Sequence, residues 1–390
     1  MKKQTCDVLI IGGGIVGLSL AKGLEQLGIS YRLVDESLSK PFSGIRPLAL
    51  SKTSIAILKY LNIWSSVWAQ TTNIRNIHVS VESAFGHLLL NEKQLEHLGA
   101  VIDLNELQKA ICAQLHETKA LINGRFLSFD AKTQTVTIQQ DEAFFDIETK
   151  IIIAADGALS SVRKACGLPV ELEPEQEAVI GMLSLKHPHE GLAFERFTDI
   201  GPLALLPWHT HDMAIVWSLS KKNAQLMRDQ HFSDVKDRLE KQLAHRMGDI
   251  LSVQSIRTYP LRQIFMPVQS YQNILFLGNA AHTLHPVAGQ GFNLSLRDVV
   301  TFLSVLQEYG ISSDTFPIYL LRRKKDQEFT LKLTRFLASG FNRFPGFIKG
   351  IGLIALSNHL GLRQTFSNYA QGLGYPLPEE IYNFLEEGHE

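Results

Sequence analysis

Apolar residues fill Asp7 to Ile11 (DVLII) without alternation, as in a strand buried on both faces, and three glycines follow at once. From Ile15 to Leu27 the apolar positions recur at helical spacing, and Tyr31 to Asp35 (YRLVD) is again strand-like. The chain therefore opens with a strand, turn, helix and strand. Strand patterns recur at Ile74 to Val81, Thr135 to Gln139 and Lys150 to Ala154, with a helix expected over Leu104 to Leu115. Between Ala178 and Ser220 the pattern changes to several short strands (VIGMLSLK, LAFERF, LALLPW, MAIVWSL), which predicts a separate sheet. A charged helical stretch around Asp234 to Met247 precedes a buried strand, Ile274 to Leu277, and helical patterns dominate from Gln290 onward.

Composition narrows the function classes. The 390 residues are 45% hydrophobic and 20% charged, a globular composition, and 38 Lys and Arg against 39 Asp and Glu leave a net charge of -1. Such a balance gives no field to attract nucleic acid and favours a small-molecule partner. Cys6, Cys112 and Cys166 are isolated in sequence, which fits a reducing compartment. The N-terminal VLII runs straight into GGG, unlike a signal peptide, and Phe347 to Leu356 (FIKGIGLIAL) is shorter than the roughly 20 residues a membrane span requires.

Gly12, Gly14 and Gly17 form G-x-G-x-x-G between a strand and a helix. The first permits a tight turn, the second lets a pyrophosphate approach the backbone, and the third allows helix and strand to pack closely. Asp35 follows Gly14 by 21 positions, at the end of the next strand, where a carboxylate accepts ribose hydroxyls. This pattern binds a dinucleotide without deciding between NAD and FAD. A second strand, KIIIAAD, delivers Asp156 into a turn at Gly157, with Ser160 or Ser161 placed to start a helix. The third cluster is GNAAHTLHPVAGQGFNL, Gly278 to Leu294, in which Pro286, Gly289, Gln290 and Gly291 precede an apolar helix beginning near Phe292. His282 and His285 make an H-x-x-H pair, but no further ligand cluster accompanies it, so no metal is expected.

In this order the three motifs resemble the FAD-dependent aromatic hydroxylases, the para-hydroxybenzoate hydroxylase-like monooxygenases. The resemblance implies an α/β fold: a Rossmann-like FAD-binding domain with an inserted, mainly antiparallel β-sheet substrate domain and a helical C-terminal region. It places the FAD-binding domain at 1–73, 93–170 and 273–335, the substrate domain at 74–92 and 171–272, and the helical region at 336–390. It also implies that Arg46 reaches the flavin region, that Asp156 and Gly157 lie between the cofactors, and that Gly278, Asn279, Pro286, Gly289, Gln290, Gly291, Phe292 and Asn293 surround the reactive end of FAD. The family fingerprint has Gly-Asp where this chain has Gly278-Asn279; asparagine keeps an acceptor oxygen but carries no charge.

Further segments, His97 to Leu104, Ala193 to Trp208 and Thr258 to Gln263, resemble the polyprenyl-methoxyphenol hydroxylases of ubiquinone biosynthesis. That branch implies NADPH or NADH as co-substrate, O2, a flavin hydroperoxide, and a polyprenyl methoxyphenol as substrate, with no side chain needed as a nucleophile. No base for the phenol stands out. Leu205, Leu206, Pro207, Trp208 and Trp217 are candidate pocket residues, with core packing as the competing assignment. A flavin dehydrogenase of the same fold, or a non-catalytic flavoprotein subunit of a ubiquinone-synthesis complex, remains open from the residues. Phe336, Phe341, Phe344, Phe347, Ile348, Ile351 and Leu353 among Arg335, Arg343 and Lys349 form a candidate contact with a membrane or a partner protein, on a cytoplasmic protein peripheral to the inner face of the membrane. Arg322 to Lys325 (RRKK) is expected to be a solvated helix face.

Overall fold

A computed structural model describes residues 4–38, 44–82, 84–91, 97–116, 118–172, 176–243, 246–340 and 344–386. Its first sheet contains β1 (Gln4–Ile11) at the centre, flanked by β2 (Tyr31–Asp35) and the strand Ala143–Ala154. Strands Leu121–Asn123 and Ile274–Phe276 extend the parallel part outward on either side. The parallel register pairs Ile11 with Ala154, Ile11 with Val34, and Ala154 with Phe276. Four strands thus end at one edge of the sheet, and the three motifs leave from adjacent strands there.

The helix α1 (Ile15–Gln26) is buried over much of its surface. One side packs on β1, and Gly23 admits Leu303 of the long helix Gln290–Tyr309; a Cβ at Gly23 would lie 2.1 Å from Leu303 Cδ1. This long helix is itself largely buried and runs from the third motif into the core.

A seven-stranded sheet runs in the order Ile250–Leu261, Gln176–Leu185, Asp212–Leu219, Gly201–Trp208, Leu192–Thr198, Asn76–Val81 and His87–Leu90. Its pairs are antiparallel except for Leu192–Thr198 with Asn76–Val81. Side chains alternate across it. One face buries Leu205, Trp217 and Leu219 against helices Lys221–Asp229 and Phe232–Leu243. The other face looks toward the first sheet.

The charged helical stretch expected around Asp234 to Met247 is the helix Phe232–Leu243, and an unexpected helix, Lys221–Asp229, which Ser220 caps by accepting the Asn223 N–H at 3.4 Å, precedes it. A three-stranded sheet of Pro47–Ser51, Gly99–Asp103 and Thr72–Ile74 and the helix Lys52–Tyr60 went unpredicted. Among the described residues no helix is long and apolar enough to cross a membrane.

RRKK is a solvated face at Arg322, Lys324 and Lys325, with Arg323 as the exception. Arg322 pairs with Glu308 at the surface, but Arg323 is 1% exposed and meets two buried carboxylates, Asp298 and Asp326. Helical geometry explains the split, since successive residues are turned roughly 100° apart and one of four adjacent positions must face inward. Of the C-terminal residues in the candidate contact, Phe341, Arg343 and the side chain of Phe347 lie outside the described residues. Lys349 is buried rather than presented to a surface, and Leu353 is core.

Candidate flavin and substrate site

A cavity of about 1120 Å³ opens where the parallel strands end and continues along the second sheet. It exceeds the roughly 300–1,000 Å³ usual for a small-molecule pocket, leaving room for a dinucleotide and a second ligand. Gly12, Gly14, Asp35, Arg46, Asp156, Gly157, Asn279, Pro286, Gly289, Gly291, Phe292 and Asn293 all line it. Gly17, Gly278 and Gln290 do not.

At the dinucleotide end, Gly14 is the N-cap of α1, and no side chain caps that terminus. A Cβ on Gly14 would meet nothing of the chain within 4 Å, so this position faces open space. Gly17 serves the packing behind it: a Cβ there would lie 2.0 Å from the Gly12 carbonyl oxygen. Asp35 orders the loop, its Oδ2 accepting the Gly13 N–H at 2.7 Å while Oδ1 accepts the N–H and hydroxyl of Ser37 at 2.7 and 2.9 Å. Arg46 stacks over Tyr259, with its guanidinium carbon 5.0 Å from the ring centroid.

Asp156 reaches the N-terminus of the short helix Ser161–Ala165, where Oδ2 accepts the Ser161 N–H at 2.7 Å. Ser160 is the N-cap itself, accepting the Arg163 N–H at 3.0 Å. The other carboxylate oxygen, Oδ1 of Asp156, is buried with no hydrogen-bond partner among the described residues. Together with the open cradle at Gly14, this unmatched acceptor fits a polyhydroxylated dinucleotide.

The third motif divides its labour. Gly278, at φ 58°, packs on Val16, while Asn279 borders the cavity. Gly289 is the N-cap of the long helix in a left-handed conformation (φ 61°), and again no side chain caps it. Two uncapped helix N-termini therefore face one cavity, each a positive dipole end suited to anionic groups. Gln290 turns away, its Nε2 donating to the carbonyls of Ala288 and Ala370 at 3.2 and 3.3 Å. Asn293 touches the cavity, but its amide clamps the wall: Nδ2 donates to Ala49 and Gly289 carbonyls, and Oδ1 accepts from Ser51 and Ser54.

The two motif histidines face different partners. His282 Nε2 lies 2.5 Å from Asp298 Oδ2. His285 accepts the Val287 N–H on Nδ1 at 3.1 Å, so Nε2 carries the hydrogen directed at Gln176 Oε1, 2.9 Å away. Burial pushes the His285 imidazole down to about 4, keeping it neutral at physiological pH. Among the described residues no cluster of His, Cys, Asp and Glu is placed to hold a metal.

Beyond the motifs the cavity is apolar, walled by residues such as Ile77, Val79, Ala204, Leu206, Val216 and Leu353. Of the sequence-based pocket candidates only Leu206 lines it. Leu205 and Trp217 occupy the opposite face because neighbouring strand residues alternate, and Pro207 and Trp208 lie off the cavity. The sequence reading missed Gln108, whose amide donates to the Gly13 carbonyl at 3.4 Å, and Glu195. Glu195 was visible as the lone charge on the alternating positions Ala193, Glu195 and Phe197.

Residues 5–309 match the family model described as FAD binding domain, and the chain belongs to that family of flavin-binding proteins. Among curated relatives it is 27% identical to 3-demethoxyubiquinol 3-hydroxylase of Escherichia coli, over 96% of this chain and 100% of the relative. It is 26% identical to ubiquinone hydroxylase UbiL of Rhodospirillum rubrum, over 95% and 90%. The fold is similar to that of p-nitrophenol 4-monooxygenase PnpA from Pseudomonas putida, with a TM-score of 0.76 at 15% identity, covering 97% of this chain and 100% of the other.

Proposed function

We propose that this chain is an FAD-dependent monooxygenase that hydroxylates the ring of a polyprenylated methoxyphenol in ubiquinone biosynthesis, with NADPH or NADH as reductant and O2 as oxygen source. One observation carries the reading: three cofactor motifs meet at the ends of adjacent parallel strands, and the cavity they border continues into an apolar chamber against the second sheet. The relatives named for ubiquinol and ubiquinone hydroxylation support the substrate class.

In this reading the Gly12 to Gly14 turn and the α1 N-terminus hold the pyrophosphate, Asp35 and Asp156 take ribose and ribityl hydroxyls, and the Pro286 to Phe292 loop borders the isoalloxazine. When bound, FAD supplies electron transfer from NAD(P)H and delivery of one oxygen atom from O2 to the ring. The uncapped helix at Gly289 stabilises negative charge on its side of the cavity. Ala204, Leu206 and Val216 exclude water from the chemistry.

Leu206→Trp tests the division of the cavity. The added indole fills substrate space while leaving the glycine turn untouched, so the variant should keep its flavin spectrum and lose at least tenfold in phenol-stimulated NAD(P)H oxidation. A variant that hydroxylates a short-tailed 2-methoxyphenol at the wild-type rate would place the ring elsewhere.

The polyprenyl tail bears on the C-terminal helices. Leu353 and Leu356 of helix Gly346–Asn358 line the cavity, and the same helix exposes Ile348, Ile351 and Ile354. This arrangement supports a helix lying on the inner face of a membrane with its apolar side in the lipid. Ile351→Glu should reduce co-sedimentation with lipid vesicles; unchanged co-sedimentation would remove this surface from the account.

A further inference from the structure

We infer that Glu195 is the catalytic base that takes the proton of the substrate's phenol hydroxyl, an assignment that rests on the hydroxylase reading above. It stands in the strand Leu192–Thr198, paired with Val79 on one side and Ala204 on the other, and Ala204 pairs in turn with Val216. All four members of this row line the cavity. Among the described cavity-lining residues of the seven-stranded sheet, Glu195 alone bears an ionisable side chain; the rest are alanine, valine, leucine, isoleucine and phenylalanine.

Its surroundings leave one acceptor for a ligand. Among the described residues Oε1 is buried without a hydrogen-bond partner, while the backbone N–H of Ala288 hydrogen-bonds to the carboxyl group. Ala288 lies between Pro286 and Gly289, in a left-handed conformation (φ 58°) costly for a residue with a Cβ. The loop assigned to the isoalloxazine side thus also touches this carboxyl group. A phenol bound there would lie between the reacting end of the cofactor and Glu195.

Among the described residues no neighbouring charge competes for the group. The adjoining strand Gly201–Trp208 and the loop Pro286 to Gly289 contain no ionisable residue. His78 and Arg196 lie on the opposite face of the sheet, His78 against Phe194 and His87, and Arg196 donating to Ser80 at 3.1 Å. Burial pushes the Glu195 carboxyl up to about 8, and the Ala288 hydrogen bond only partly opposes it. An ordinary carboxylate near 4.3 is a poor base toward a phenol near 10, whereas a group at about 8 is within roughly two units of it and near working pH.

The step is a proton transfer. The phenol O–H bond breaks, an O–H bond forms at Glu195, and the electron pair stays on the phenol oxygen. From there it enriches the ortho and para carbons as nucleophiles toward oxygen transfer. After the ring is hydroxylated, the proton returns from Glu195 to a product oxygen, and the carboxylate is restored.

Two measurements on the FAD-loaded protein test this. With oxidised flavin and no reductant, 2-methoxyphenol, followed by the change it causes in the flavin spectrum, should bind wild type more tightly as pH rises through about 8, because the ionised carboxylate accepts the phenol O–H, and Glu195→Gln should bind it without that dependence. In turnover, wild-type kcat should rise with pH through an apparent pKa of about 8 as Glu195 ionises. Glu195→Gln should lose that rise and about 10²- to 10⁴-fold in kcat while keeping its flavin spectrum. Glu195→Asp should keep a pH-dependent rise at an intermediate rate. Equal pH dependence of phenol binding in wild type and Glu195→Gln, or an unchanged pH profile at the wild-type rate, would overturn the assignment. A wild-type protein that oxidises NAD(P)H but hydroxylates no phenol would instead overturn the hydroxylase reading, which the binding spectra distinguish from failure of Glu195 alone.

Discussion

Gly12→Ala is expected to yield a protein that does not retain flavin. Gly12 has φ 116°, and a Cβ there would lie 2.4 Å from the Ala155 carbonyl oxygen and 2.7 Å from the Asp156 nitrogen. These are backbone atoms of the neighbouring motif, so no side-chain rotation relieves the contact. The Gly12 N–H also donates to Val34 at 2.8 Å, and Ala155 donates to Ile11 at 2.7 Å, so displacement at Gly12 strains both motif turns. Overpacking of this kind costs about 1–3 kcal/mol, to which the unfavourable backbone conformation adds about 1–2 kcal/mol. Flavin absorbance after gel filtration and urea unfolding of the apoprotein measure the two losses. Gly14→Ala provides the contrast: with open space at its Cβ, it should unfold near the wild-type midpoint and still bind FAD more weakly. Wild-type FAD affinity in Gly12→Ala would show that the two turns are not rigidly coupled.

Arg323→Leu should be the most destabilising single change in the C-terminal half. Arg323 Nε lies 2.7 Å from Asp298 Oδ1, and Nη2 lies 2.7 Å from Asp326 Oδ2. Arg297 meets the same Asp326 through Nε at 2.7 Å and Nη2 at 3.0 Å. Burial by itself would raise both carboxyl groups, but the guanidiniums, with His282 beside Asp298, hold them below the usual carboxylate range. Removing Arg323 leaves two buried carboxylates facing one guanidinium, and breaking such a set by deleting one partner costs about 3–5 kcal/mol. Urea unfolding should report that loss. FAD should also bind more weakly, because Asp298 holds His282 within the third motif. A change below about 1 kcal/mol would mean that water reaches the carboxylates and replaces the lost partner.

What the chain discloses before folding follows from the range of the interactions involved. The glycine turn after β1, the strand into Asp156 and the strand into Gly278 are local patterns, each readable within about ten residues, and the parallel fold class follows from them. Their convergence depends on the register Ile11 to Ala154 to Phe276, a long-range property that spacing alone does not state. Faces were harder. Leu205 and Leu206 are both apolar, and only the pairing of Leu205 with Phe194 and Ile215 settles which one enters the cavity. Arg323 was misplaced because its partners, Asp298 and Asp326, include one from another helix. Asn293 is a wall clamp rather than a free amide because it meets Ala49 and Ser51, more than two hundred positions away.

Oxygen incorporation tests the central claim most directly. Purified protein, loaded with FAD, would be given NADPH or NADH, a short-tailed 2-methoxyphenol and isotope-labelled O2. The account predicts a ring-hydroxylated product containing one labelled oxygen atom per molecule, formed only when flavin, reductant and O2 are all present. Reductant oxidation with the phenol recovered unchanged, continuing without O2 when another electron acceptor is supplied, would contradict it and identify a flavin dehydrogenase on the same fold.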